Sequence, residues 1–412
     1  MIQTNVTESL WTKKFSLLFV GTIFMYISTF MFTPTLPLFA KSIGVNNASI
    51  GGFIILCYTL GSFAPRIFWG NLADNFGRIP VFLLGIFIIT VATPFFGIFV
   101  SLAGILVIRM IQGIGFSASS ISGSTMAVDF IPPSRMSEGI GIYSLANTIG
   151  MALGPNLGLV IMQSLGFGWL NVVSLFLGTL SLSIGVFLKR EVRHKRNPLV
   201  SSYPKNSNQT SLTSVRVTQG CFNNGEKIEK NVLIIGIVAL FAVIPYGAIM
   251  GYIAEYGINQ DVENIGLYFS VYASALFLVR MVAGRLLSLC NVTMLVILGN
   301  ILMIGGLTSL FWADKLAIFM ISAILFGFGF GLVWPFLQAV TISLCSRNHR
   351  GRATAILFKA SDLAYGLGAV CVGVGIKYFG YAVAFAGLSI FVIFSAIFFL
   401  LLIHPQLKNE KE

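Results

Sequence analysis

Twelve stretches of mostly apolar residues occupy nearly the whole chain. Each is about 20 residues long, the length an α-helix needs to cross roughly 30 Å of hydrocarbon. Their limits read as 15–39, 48–69, 80–99, 102–125, 138–163, 167–188, 232–256, 264–284, 291–312, 317–343, 353–377 and 381–403. Hydrophobic residues make up 56% of the 412 and charged residues 10%, against roughly 25% charged in an ordinary soluble protein. So few charges cannot cover that much apolar surface in water, so lipid must solvate most of the chain. None of the stretches alternates in the ten-residue pattern of a membrane β-barrel. The expected fold is an all-α membrane protein of twelve transmembrane helices. The first stretch is too long for a signal-peptide core and is read as a retained helix.

Charge placement gives a topology. The net charge is +12, but the basic residues gather in alternate loops rather than on a soluble aromatic platform, which argues against nucleic-acid binding. Lys13, Lys14, Arg78, Arg135, Arg285, Arg347, Arg350 and Arg352 share one side with the polar segment 189–230, which holds nine Lys or Arg and three Glu. The other side offers Lys41, Lys315 and Lys377. Cationic loops stay in the cytoplasm, so both termini are expected there. Segment 189–230 is too polar to bury a core and reads as a cytoplasmic linker. It divides the chain into 1–188, a six-helix bundle, and 231–412, a second six-helix bundle with a short tail. Cys57, Cys221, Cys290, Cys345 and Cys371 show no paired or clustered spacing, and neither a metal site nor a cofactor is expected.

The two halves repeat. Arg66-(x3)-Gly70 matches Arg280-(x3)-Gly284 at an offset of 214, and the same offset carries Gly113 to Gly327, Gly115 to Gly329 and Gly154 to Gly368. Two related six-helix halves with a site between them describe a secondary transporter.

Three segments carry a resemblance. Gly70-Asn-Leu-Ala-Asp74-Asn-Phe-Gly77-Arg78 stands between spans 2 and 3, Arg109-Met-Ile-Gln112-Gly113 lies in span 4, and Gly150-Met-Ala-Leu-Gly154-Pro155-Asn-Leu-Gly158 lies in span 5. Over nearly its whole length the chain resembles the major facilitator superfamily, and the span 5 segment resembles the motif of its twelve-span drug–proton antiporter branch. The resemblance implies two pseudo-symmetric bundles. It implies a cytoplasmic latch built on Gly70, Asp74, Gly77 and Arg78, with Arg78 paired to Asp129. The glycines of the first segment would allow a tight turn and close helix contact. Ile79 and Pro80 stand where the family usually adds a second basic residue, and Gly284-Arg285-Leu-Leu-Ser288 lacks the expected acid.

Arg109 lies deep in a span, where a cation is costly and normally faces a polar cavity or a partner. The family links this arginine to proton coupling or substrate binding; a structurally paired cation is the other reading. Gly150, Gly154 and Gly158 share one helix face and allow close packing, while Pro155 favours a bend. Lys359 and Asp362, spaced i and i+3, share a face of span 11. Asp362 is either a protonatable carboxyl tuned by burial and by Lys359, or half of a static Lys359–Asp362 pair. Glu255, near the outer end of span 7, is expected at a solvated interface. Tyr26, Asn147, Tyr246, Tyr272, Trp334 and Gln338 are aromatic or polar residues inside apolar runs, suited to lining a pocket for an amphipathic molecule.

The expected function is a monomeric secondary transporter of the inner membrane. It would export a small amphipathic organic molecule by alternating access, driven by protons. Alternatives are export of an endogenous metabolite such as a metallophore or a sugar, and nutrient import. An enzyme is disfavoured because His194, His349 and His404 all lie in or beside the linker-side segments, with no His-Glu-x-x-His. A channel would show charged rings or a filter repeat.

Overall fold

The computed structural model describes residues 9–45, 47, 49–132, 135–194, 230–289, 291–343 and 350–405. These form twelve membrane-length helical segments and, among the described residues, no strand. They are α1 Lys13–Ser42, α2 Ile50–Phe76 and α3 Arg78–Ile98, α4 Leu102–Phe130, α5 Met136–Leu165 and α6 Phe167–His194, α7 Lys230–Asn259, α8 Leu267–Leu289, α9 Val292–Ser309 and α10 Leu316–Ser343. The last two, α11 (350–379) and α12 (381–403), form one apolar stretch broken at Gly380. Backbone amides have no water partner in lipid, so helices are the available solution for each run. Of the expected linker 189–230, residues 189–194 continue α6 and Lys230 begins α7, while 195–229 lies outside the described residues.

Local sequence sets the breaks. Thr12 caps α1 by accepting from the Phe15 amide, and Ser101 caps α4 by accepting from the Gly104 amide at 3.1 Å. α2 bends at Ala64-Pro65, and α3 bends just before Pro94. Gly77, Gly166 and Gly380 turn the chain between helices at φ of +97°, +87° and +77°. A side chain would be strained at those values. Gly166 and Gly380 are themselves separated by the offset of 214.

That offset also relates helix crossings. A Cβ at Gly113 would lie 2.1 Å from the Tyr58 carbonyl oxygen, and one at Gly327 would lie 2.7 Å from that of Tyr272. A Cβ at Gly115 would lie 2.7 Å from the Gly85 carbonyl oxygen, and one at Gly329 would lie 2.5 Å from that of Gly299. The helices therefore meet backbone to backbone at matching places in both halves. The span 5 glycines do the same against α1: a Cβ at Gly150 would lie 2.3 Å from Tyr26 Cβ, and one at Gly158 would lie 2.5 Å from the Met31 carbonyl oxygen. α5 stays helical through Pro155.

Side-chain cores follow the same division. One large apolar cluster is drawn almost entirely from α7–α12, while three smaller ones belong to α1–α6. The face of the membrane at which α6 ends and α7 begins is called the linker side below, and the opposite face the far side.

Candidate substrate pathway between the halves

The seam between the halves is held chiefly by α2 against α11 and by α5 against α8. On the far side it is tight. The Gly52 amide donates to the Tyr252 hydroxyl at 2.6 Å, and a Cβ at Gly52 would lie 2.6 Å from the Ala369 carbonyl oxygen. Lys41 of α1 pairs with Glu255 of α7, and the Tyr381 hydroxyl donates to the same carboxylate at 2.5 Å. Glu255 is thus buried and held across the seam, not solvated as expected from its place near a helix end. The helix end carries it under Lys41 and Tyr381, which cover it from two other helices.

Deeper in, Ser270 of α8 donates to the Ala152 carbonyl at 3.0 Å and accepts from Asn156 at 3.4 Å. Two cations then mark one level of the seam. Arg66 of α2 pairs with Asp362 of α11, and Arg280 of α8 donates to the Thr148 hydroxyl of α5 at 3.1 Å. The partner of Asp362 is therefore Arg66 from the opposite half. Of the two readings of Asp362, the static pair with Lys359 is not what the structure forms; the carboxylate meets Arg66, and Lys359 Nζ lies 5.9 Å from the Phe63 ring centre. A helix face brings residues i and i+3 near each other, but docking of the halves decides which cation reaches the carboxylate.

Arg109 belongs to the interior of the first half. It is 1% exposed, donates to Gln112 Oε1 at 2.9 Å and to Thr33 Oγ1 at 3.3 Å, and its guanidinium lies 4.5 Å from the Tyr58 ring centre. Gln112 is held in turn on Thr93 at 3.2 Å. No carboxylate pairs with Arg109 among the described residues, and its Nε has no acceptor. A cation so placed gains only ring and neutral hydrogen-bond stabilisation, and its charge meets no anion among the described residues.

Aromatic walls face the seam from both halves. Tyr26 stacks on Phe30 at 5.7 Å and meets Phe116 edge-on at 5.8 Å, with its hydroxyl toward Ser120 and Asn147. Tyr246 lies 5.0 Å from Phe330, 5.3 Å from Tyr365 and 6.2 Å from Tyr272, ring centre to ring centre. Trp334 stacks on Phe330 at 6.3 Å, and Gln338 follows one helical turn later, half-buried. The structure thus gathers Tyr246, Tyr272 and Trp334 in one cluster and Tyr26 with Asn147 in another. Tyr58, Phe116, Phe330, Tyr365 and the pair Thr148 and Arg280 complete these walls. Sequence reading passed over them, although the offset of 214 between Tyr58 and Tyr272, and between Thr148 and Asp362, was available to find them.

The linker-side motif takes a different shape from the expected loop. Gly70 to Phe76 continue α2 as helix, and Gly77 alone makes the turn. Nothing approaches within 4 Å of where a Gly70 Cβ would stand, so that glycine makes no close helix contact. The apolar run ends before the helix does: the polar residues of the last turns of α2 stay helical up to Phe76. Arg78 pairs with Asp129 of α4. Asp74 is exposed and forms no ion pair among the described residues.

The model of the Major Facilitator Superfamily matches residues 18–244 and 232–412. This chain belongs to that superfamily. Members of the superfamily similar to it include the staphylopine export protein of Staphylococcus aureus, 24% identical over 360 residues that cover 86% of this chain and 87% of that one. A multi-drug resistance efflux pump PmrA homolog of Lactococcus lactis is 22% identical, covering 94% of each chain. Among solved structures, a bacterial homolog of the human lysosomal transporter Spinster, in an inward-facing and unoccupied conformation, superposes with a TM-score of 0.72 at 16% identity over 95% of this chain and 97% of that one. The D-xylose-proton symporter superposes with a TM-score of 0.72 at 14% identity, covering 93% and 96%. At these identities the structural likeness speaks for the superfamily fold. As a member of the superfamily the chain is a multi-pass membrane transporter of small molecules and not an enzyme.

Proposed function

We propose that this transporter is a proton-coupled exporter of a small amphipathic organic molecule and works by alternating access as a monomer in the cell membrane, with both termini in the cytoplasm. The observation that carries the reading is the ion pair of Arg66 with Asp362, which joins the two halves at mid-seam. From that level to the far side the halves are in contact. Toward the linker side, Arg78 and Asp129 pair within one half, and Asp74 stands exposed. The arrangement fits a carrier open to the cytoplasm.

Asp362 is the carboxylate of this seam level, and its charge holds Arg66. Protonation removes that charge and releases the arginine, so one proton changes the energy of the seam. In the cytoplasm-open form Asp362 is ionised and paired, the state after a proton has been delivered inward. Cargo then enters between the aromatic walls. The halves pivot, and Asp362 takes its next proton from the outside once cargo has left. Asp74, Arg78 and Asp129 form the latch that closes the cytoplasmic side in the opposite state, and Arg109 supports the site from within the first half. The likeness to efflux proteins supports export over import. Export of an endogenous metabolite is the second reading, favoured by the likeness to a protein named for exporting one compound, staphylopine.

The test is transport in proteoliposomes. Asp362→Asn abolishes pH-gradient-driven flux and leaves the protein folded and monodisperse. Coupled flux equal to that of the unaltered protein removes Asp362 from the proton path.

A further inference from the structure

The offset that relates the halves sends Arg66 to Arg280 and Thr148 to Asp362. It also sends one seam contact onto the other: Arg66 meets Asp362, and Arg280 meets Thr148 at 3.1 Å. Backbone placement and cation are kept in both copies, but the counter-ion is not. Arg66 has a carboxylate, whereas Arg280 has a neutral hydroxyl.

The surroundings of Arg280 do not make up the difference. It forms no ion pair among the described residues, and its Nε is buried without an acceptor. The Tyr272 hydroxyl, on the same helix and fully buried, also has no hydrogen-bond partner among the described residues. Tyr272 and Tyr246 are the electrostatic neighbours of Arg280, and the Tyr246 hydroxyl reaches only the weak acceptor Met151 Sδ at 3.4 Å. Arg280 is half-buried with its Nε fully covered; a cation partly removed from water without an anion is costly, and so is each buried donor without an acceptor. Two unused donors and one unneutralised cation, next to stacked rings, are what a carboxylate on an aromatic or aliphatic body needs.

We infer that Arg280, Tyr272 and Thr148 form an anion subsite, and that the cargo is an amphipathic organic anion whose carboxylate takes at Arg280 the place Asp362 holds at Arg66. The inference rests on the carrier reading above. It is consistent with the two cations of this seam level: the charge of Arg66 is cancelled by Asp362, while that of Arg280 is not cancelled among the described residues. That field attracts anions and repels organic cations.

The probes are naphthoate, naphthamide and naphthylmethylammonium, which share one ring system and differ in charge. They are titrated by calorimetry into the full chain in nanodiscs of zwitterionic lipid. Naphthoate binds about tenfold more tightly than naphthamide, and the ammonium compound binds weakest. Arg280→Gln erases the advantage of the acid, and Arg280→Lys keeps part of it. A ligand-free arm uses Thr148→Asp, which supplies the counter-ion that symmetry lacks. It raises the melting temperature, abolishes the preference for naphthoate, and loses its stabilising effect when combined with Arg280→Gln. Acid and amide binding alike, or a lower melting temperature for Thr148→Asp, overturns the inference. If adding phosphatidylglycerol to the nanodiscs removes the naphthoate advantage, Arg280 serves a lipid headgroup and the cargo assignment is overturned. Saturable counterflow of the amide or the ammonium compound, unchanged by Arg280→Gln, overturns the anion subsite and leaves the carrier reading standing.

Discussion

Replacing Lys41 with Met leaves the Glu255 carboxylate buried against Tyr381 with no cation. The magnitude follows from the burial of the two partners. Glu255 is 5% exposed and Lys41 38% exposed, so the pair is neither a surface bridge nor a fully dry one. Removing one partner of a fully buried pair costs about 3–5 kcal/mol, and exposed pairs contribute about 0–1 kcal/mol. Screening of the half-exposed lysine places this pair between them, at roughly 1–2 kcal/mol. The contact exists only while the far side is shut, so its loss is charged to that state alone. A shift of 1–2 kcal/mol raises the ratio of far-side-open to far-side-shut molecules about 5- to 30-fold. Spin labels on Ser101→Cys and Asp314→Cys, exposed far-side positions on opposite halves, report that ratio in a background without native cysteines. Pulsed dipolar spectroscopy then shows a longer distance gaining population in Lys41→Met and, to a smaller extent, in Tyr381→Phe. Unchanged distance distributions in a folded Lys41→Met protein refute the reasoning.

Gly150→Ala puts a methyl group into Tyr26 Cβ and lowers stability by about 1–3 kcal/mol, read as a lower melting temperature. Gly70→Ala meets open space in the middle of a helix and leaves stability unchanged or raises it by up to about 1 kcal/mol. Arg109→Met removes a buried cation that has no carboxylate partner among the described residues, so the melting temperature holds or rises while counterflow in vesicles is lost. Arg78→Gln breaks a pair whose carboxylate is 47% exposed and costs no more than about 1 kcal/mol of stability, measured by thermal unfolding.

Long apolar runs report their own fate, because lipid leaves the backbone no alternative to helix. The turn at Gly77 and the internal repeat were equally legible, since each depends on a local backbone requirement or on matched spacing. The seam was harder to read. Asp362 has Lys359 one turn before it, and nothing local says that Arg66, 296 positions away in the chain, takes the carboxylate instead. Glu255 looked solvated from its place near a helix end, because its cover comes from Lys41 and Tyr381 on two other helices. Gly70 was misread for the opposite reason: the apolar run stops before the helix does, so a helical turn passed for a loop. Thr148 and Arg280 drew no notice as a pair, although the repeat that exposed Arg66 and Arg280 as equivalents also joins Thr148 to Asp362.

Within each half, the helices cross where glycine lets one backbone rest on another, at Gly113 on Tyr58 and at Gly327 on Tyr272. Such crossings have no slack for a bulkier residue, so the chassis is intolerant of drift. The far side of the seam shares that tightness at Gly52 on Ala369, but around Arg66 and Arg280 the halves meet through side chains, and these can be exchanged without disturbing either bundle. New cargo preferences therefore have room to evolve along α2, α5, α8 and α11 while the two frames that carry them stay the same.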